Sequence, residues 1–431
     1  MNGTDGAAQN EQLEQLEQLG RSPRCGHFAF AVAALLLAVA SAALPLSLCK
    51  PWVGMVLWGV MLVGCAVLLR AMRVGVTLTL LGSGLCLLLT GTYLFAGTLA
   101  VALAVGTFAC AFLMLSVKRP YLVCLIPLAA FGVTMLFTRD PLLWLAALSL
   151  LPAGALTAFA MKRKVARTGV IACGAAGLLL SALLLIGLAI ARTEAGLSLE
   201  TVRGLLDDWH ARLLGERIAM RDELLAAFEQ MYAETGTTGN AQAMQTMLDS
   251  YRQMFSDANL SASLTEMFDL LPGVAVVVAL IASYLGQLLL LEGCEASGMR
   301  SAVAPESEFF VMSLPATVIW IVASIISLLA DGASSVAVIT AQNLSLILLP
   351  GFCAAGWYTL ARAMRSIPPR GRWSLILPAV AIVCCASTSV FWVLGVYGAY
   401  ATAAAAIRRA ILRRNSPPSS GNGDGGDGDA Q

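Results

Sequence analysis

Two neighbouring amides, Gln342 and Asn343, interrupt an apolar run that extends from Val336 to Arg362. A strong polar group inside such a run has two uses: it can hydrogen-bond a neighbouring helix, or it can hold a solute. Gln287 and Tyr284 sit one turn apart near the end of another apolar run, Leu270 to Leu291. These four residues are the candidate substrate-binding groups. Glu292, Glu295 and Arg300 follow closely and read as a solvated loop. No chain of intramembrane carboxylates suggests a proton relay.

Catalytic and metal chemistry find little support. There is no Walker pattern, no His-Glu-x-x-His and no Gly-x-Ser-x-Gly. The two histidines, His27 and His210, are too few and too distant for a His-based metal site. Most of the eleven cysteines lie inside apolar runs, where they act as small hydrophobes. No catalytic residue, metal ligand or cofactor is expected. A net charge of +1 argues against a nucleic-acid partner.

The elements that hold these residues belong in lipid. Hydrophobic residues make up 58% of the chain and charged residues 12%, about half the charged share of a soluble domain. Apolar runs occupy Phe28–Leu48, Trp52–Leu69, Val74–Thr90, Tyr93–Val117, Tyr121–Phe137, Leu142–Met161 and Thr168–Ala191. After a long polar stretch come Leu270–Leu291, Phe309–Ala330, Val336–Arg362 and Trp373–Ile407. The last run is about 52 Å as one helix, so it reads as two spans breaking near Ala386 to Ser389, or as one. The expected fold is all-α and polytopic, with 11 or 12 transmembrane helices.

Loop charges set the orientation. The loops rich in Lys and Arg, at 70–73, 118–119, 162–167 and 362–372, fall on one side and should be cytoplasmic. Both termini are then inside, in a bacterial cytoplasmic membrane, and the polar stretch 192–269 emerges outside. The chain divides into a polar tail (1–27), an N-terminal membrane block of seven spans (28–191), the polar insert (192–269), a C-terminal membrane block (270–414) and a Pro/Ser/Gly/Asp-rich tail (415–431).

The insert holds thirteen Asp/Glu, six Arg and no Lys, a formal charge of −7. Ser198 is placed to cap a helix. Val202, Leu206, Trp209, Leu213, Met220, Leu224, Phe228 and Met231 then form a helical stripe. A break at 236–239 precedes a second stripe through Met244, Met247, Leu248, Tyr251, Met254 and Phe255, and Ser261 is placed to cap a third helix entering the membrane. The insert is therefore expected to be an extracytoplasmic helical hairpin. Its six methionines fit an adaptable apolar face better than a copper site.

The C-terminal half resembles the YybS-like family of bacterial membrane proteins, whose function is unknown. The likeness rests on Leu270-Leu271-Pro272, Leu314-Pro315, Asn343-Leu344, Pro350-Gly351, Leu394-Gly395 and a terminal Arg cluster, across most of Ser198 to Arg414. The N-terminal part of that family is loosely similar to substrate-binding subunits of energy-coupling-factor transporters. That likeness implies that Ala34, Ala38 and Ala42, a small-residue face on the first span, would dock an ATPase-linked coupling subunit. Two functions follow as expectations. One is transport-related or small-solute-binding, with the hairpin as a lid. The other is a non-catalytic membrane scaffold that recruits a partner through the hairpin.

Overall fold

A helix that is apolar on every side must be covered on every side. Leu94–Ser116 (α2) is such a helix, and Ala104 to Met114 are buried without interruption. It forms the centre of the first of two compact units, Met1–Glu306 and Ser307–Gln431. The computed structural model describes residues 23–49, 56, 60, 61, 63, 64, 94–193, 196, 198–235, 241–296, 312–329, 335–365 and 389–415. Among these there is no strand, so the chain is an all-α polytopic membrane protein. Among the described residues six helical stretches are long and apolar enough to cross a membrane, and two shorter apolar helices accompany them. The runs Trp52–Leu69, Val74–Thr90 and the first half of Trp373–Ile407 lie largely or wholly outside the described residues. The count of 11 or 12 spans therefore reaches beyond them.

In the first unit α2 is surrounded by Pro23–Cys49 (α1), Leu150–Lys162 (α5) and Asp257–Ala296 (α9). Arg167–Ala191 (α6) packs on α5 and α9. A 3₁₀ turn, Pro120–Cys124, leads into Leu125–Phe137 (α3), which packs on α1. The run Leu142–Met161, expected as one helix, is two: Pro141–Ala146 (α4) and α5, separated by a turn. Asp140 caps α4 through its carboxylate, which accepts from the Leu142 amide at 2.9 Å, and Pro141 occupies the first turn, where it costs no hydrogen bond.

Small residues set the approach of these helices. A Cβ on Gly177 of α6 would lie 2.6 Å from the Ala153 amide nitrogen, and one on Gly286 of α9 would lie 2.9 Å from the Ala104 carbonyl oxygen. Backbones this close gain dispersion contacts that stand in for the hydrophobic drive lipid cannot supply. The span from Leu270, grouped by sequence with the C-terminal block, is thus packed on α2 and α6, and the compact unit ends after Glu306 rather than before Leu270.

The insert forms Leu199–Thr235 (α7), Ala241–Met254 (α8) and the first third of α9. Ser198 caps α7 as expected, its hydroxyl accepting from the Thr201 amide at 3.1 Å. The third helix begins earlier than expected: Ser256, not Ser261, stands at its start, and its carbonyl accepts from the Leu260 amide at 2.9 Å. Ser261 lies inside the helix. The α9 helix then continues through Leu270-Leu271-Pro272 without interruption. At 40 residues it is about 60 Å long, twice a bilayer core, so a large part of it stands clear of the membrane.

The second unit contains Leu314–Leu329 (α10), Val336–Arg365 (α11) and Ser389–Asn415 (α12). Ser313 caps α10, with Pro315 in the first turn. The helix is shorter than the run Phe309–Ala330 suggests. Of the break expected near Ala386 to Ser389, only Ser389 lies within the described residues. The α11 and α12 helices pack backbone to backbone at Gly356 and Gly398: a Cβ on Gly398 would overlap the Phe352 carbonyl oxygen. Trp320, Phe352 and Trp392 fill the space beside this crossing, with Trp320 stacked on Trp392 at 5.9 Å.

Candidate functional site

The four amide and phenol candidates fall into two pairs, one in each unit. Asn343 on α11 is half-buried and donates to the Ile339 carbonyl of its own helix at 2.9 Å. Gln342 is also half-buried. Two cross-helix bonds nearby belong to residues the sequence did not single out. Trp320 Nε1 donates to the Ser345 carbonyl at 3.1 Å, and the Ser324 and Ser345 hydroxyls bond at 2.8 Å.

In the first unit Gln287 is buried, at 3% exposure, and its Nε2 donates to the Arg167 carbonyl at 3.3 Å. Its Oε1 has no hydrogen-bond partner among the described residues. Tyr284, on the same face, lies under the Arg167 guanidinium at 5.9 Å. One turn deeper, Ser283 donates to the Ile171 carbonyl at 2.7 Å, and Thr157 and Ser283 both crowd Gly174. A polar seam thus runs along α6 at seven-residue intervals: Arg167, Gly174 beside the two hydroxyls, and Ser181, which donates to the Ser149 carbonyl at 2.7 Å. That interval was visible in the sequence as a repeat of small and polar residues in an apolar run. Ala34, Ala38 and Ala42 are half-buried on α1, whereas the face pressed into the core carries Ala33, Leu36, Leu37 and Ala40.

The most uncovered apolar chemistry lies in the stalk made by α7, α8 and the start of α9. The half-buried line of α7 is His210, Leu214, Ile218, Arg221, Leu225 and Phe228, a mostly alternating three-and-four spacing like a coiled-coil seam. Opposite its lower half, α9 contributes Leu260, Leu264, Met267 and Phe268, and Leu264 is fully buried. Trp209 meets Phe268 edge-on at 5.0 Å. Opposite its upper half, α8 contributes Leu248 and Tyr251 and the turn after it Phe255, with the Phe228 and Tyr251 rings 5.7 Å apart. Arg221 marks the join: its guanidinium bonds Asp222, Asp257 and the Phe255 carbonyl. These carboxylates raise its pKa above the ordinary guanidinium value. Arg252 joins α8 to α7 through Glu229.

The stripe read from the sequence is mostly not this seam. Leu206, Trp209, Met220, Leu224 and Met231 are exposed, between 42% for Leu206 and 64% for Met220. At 3.6 residues per turn their line lies about 90° around α7 from the half-buried one. So α7 carries two apolar faces, one covered and one bare. Met247 and Met254 of α8 are bare as well. Between α7 and α8 a groove of about 90 Å³ is lined by Leu225, Phe228, Met231, Met247, Leu248 and Tyr251. That is well below the 300–1,000 Å³ of ordinary ligand pockets, and suits a single apolar side chain. The insert 192–269 as a whole carries a formal charge of −7.

No curated protein matches this chain, and no solved structure matches it. A family model described as a predicted membrane protein, DUF2232, matches residues 85–397. The match takes in α2 through most of the first unit, the stalk, and the second unit into α12, and leaves α1 with its alanine face outside. The chain therefore belongs to the DUF2232 family of predicted membrane proteins.

Proposed function

We propose that this protein is a non-catalytic membrane-anchored docking protein, whose stalk recruits a partner helix through the bare face of α7. One observation carries the reading: Leu206, Trp209, Met220, Leu224 and Met231 share one face of α7, beside its covered seam, and are exposed. An exposed apolar stripe of this kind marks an interaction surface. The occupant is a helix with one apolar face and basic flanks. The stalk segment carries −7, so a second copy would bring like charges together, whereas a basic helix would be attracted. The Met-rich edge of the groove would adapt to one inserted side chain.

The test uses the full chain in nanodiscs and two synthetic amphipathic helices, identical in their Leu face and flanked by Lys in one and Glu in the other. The Lys-flanked helix should bind, more weakly at high salt, and Leu206→Asp with Leu224→Asp should abolish binding while leaving the helical signal unchanged. Equal binding of the Glu-flanked helix, or a photocrosslinker at Leu224 joining two copies of the chain, would overturn the reading.

A second reading, small-solute binding in the membrane block with the stalk as a lid, draws on the buried Gln287 Oε1 and its lack of a donor. It would bring Gln287 and Tyr284 to a transported solute, and α1 to an ATPase-linked coupling subunit. A solute that raises the thermal midpoint of the wild-type chain, and not of Gln287→Met, would favour it.

A further inference from the structure

The opposite end of the first unit carries a second feature. Lys118 and Arg119 follow the C-terminus of α2, and Lys162, Arg163 and Lys164 stand at the C-terminus of α5. The two groups are tied together, because Lys162 Nζ donates to the Met114 carbonyl of α2 at 3.4 Å. None of the five cations pairs with a carboxylate among the described residues. Coulomb repulsion among five cations at the ends of packed helices is relieved by counter-charge from outside the chain. Exposed aromatic rings accompany the cations. Tyr121 lies two residues beyond Arg119, and Phe159 lies one turn below Arg163, whose guanidinium is 5.2 Å from the Phe159 ring centroid. Exposed aromatic rings next to cations at the end of a membrane helix mark the headgroup level, where the ring stays in hydrocarbon and the charge reaches out of it.

We infer that Lys118, Arg119, Lys162, Arg163 and Lys164, with Phe159 and Tyr121 beneath them, form a site for the phosphate of an anionic phospholipid headgroup. The ligand is lipid rather than free phosphate because Arg163 rests on the exposed Phe159 ring and the exposed Tyr121 ring follows Arg119, and such rings would pack against acyl chain below the phosphate. Each Lys or Arg near the surface adds to the attraction for an anionic leaflet. The site is independent of the stalk: α6 crosses the membrane once between Arg167 and Ala191, so the stalk leaves from the other end of that helix.

The experiment places the full chain in nanodiscs and compares a photoreactive phosphatidylglycerol with the matching phosphatidylcholine probe. Crosslinked peptides are mapped by mass spectrometry. Phosphatidylglycerol should label the segments around Tyr121 and Phe159 about tenfold more than phosphatidylcholine, and Arg119→Gln with Arg163→Gln and Lys164→Gln should remove that preference. The charge-conserving set Arg119→Lys, Arg163→Lys and Lys164→Arg should keep it, which separates loss of charge from loss of fold. Equal labelling by the two probes in the wild-type chain would overturn the site. So would a preference that survives the Gln substitutions. Competition by inorganic phosphate would show a free-anion site and overturn the lipid assignment.

Discussion

Gln287 and Arg221 show how differently two buried or half-buried polar side chains are used. Gln287 makes one long hydrogen bond to the Arg167 carbonyl and leaves its Oε1 without a donor. Replacing it by Met, of similar length, removes both the weak bond and the unmet acceptor, so the two effects oppose each other. Gln287→Met should change stability by less than about 1 kcal/mol in a detergent unfolding assay. Ser283→Ala, by contrast, removes a 2.7 Å bond to the Ile171 carbonyl and should cost about 0.6 kcal/mol, the usual worth of such a bond between membrane helices. Arg221 bonds two carboxylates and a carbonyl from three points of the stalk. Arg221→Lys should fail to rescue Arg221→Ala, because an ammonium lacks the planar fork that reaches several acceptors at once. Both variants should speed proteolysis of the stalk at Met254 to Asp257, while the helical signal of the membrane block is retained.

At the scale of elements, glycine divides the helices into those that touch through backbone and those that do not. Gly398 faces the Phe352 carbonyl and Gly356 faces the Leu394 carbonyl, so neither position has room for a methyl group. Gly398→Ala should drive α11 and α12 apart and cost about 1–3 kcal/mol, the range for overpacking a well-fitted contact. Gly132→Ala and Gly187→Ala meet open space and serve as the comparison: both should be neutral or slightly stabilising in the same thermal assay. The helical stripe of α7 was legible in the sequence, but its role was not. The 3.6-residue period shows that Leu206, Trp209, Met220, Leu224 and Met231 share a face, and it cannot say whether a neighbour covers that face. The seam that is covered includes His210 and Arg221, polar residues that an apolar pattern passes over.

For the whole molecule, α6 sets the sidedness. It has one short basic loop at Arg167 and the acidic stalk beyond Ala191, separated by a single apolar crossing. In sealed vesicles of uniform orientation, a membrane-impermeant thiol reagent should therefore react with Ser250→Cys and with Lys164→Cys from opposite sides, each measured against the background of the wild-type chain. Reaction of both from the same side would require α6 to re-enter rather than cross. The division of the chain after Glu306 also bears on engineering. The α9 helix is shared between stalk and membrane block, so a cut at Asp269, where the composition changes, would sever the helix whose Gly286 packs on α2.

Sequence alone determined that the chain is helical and lies in lipid, and that 192–269 is a helical insert. Each of these depends on composition and period, which are local properties. It also singled out Gln287 and Tyr284 as candidates, because a polar side chain in an apolar run is conspicuous wherever it points. Tertiary structure alone decided that α9 belongs with the first unit, that Asn343 bonds its own helix backbone, and that α7 has one covered and one bare face. Those outcomes depend on which helix lies beside which. That pairing is set by the meeting of small residues such as Gly177 with Ala153 and Gly398 with Gly356, far apart in the chain or on different helices, and no single-helix period records it.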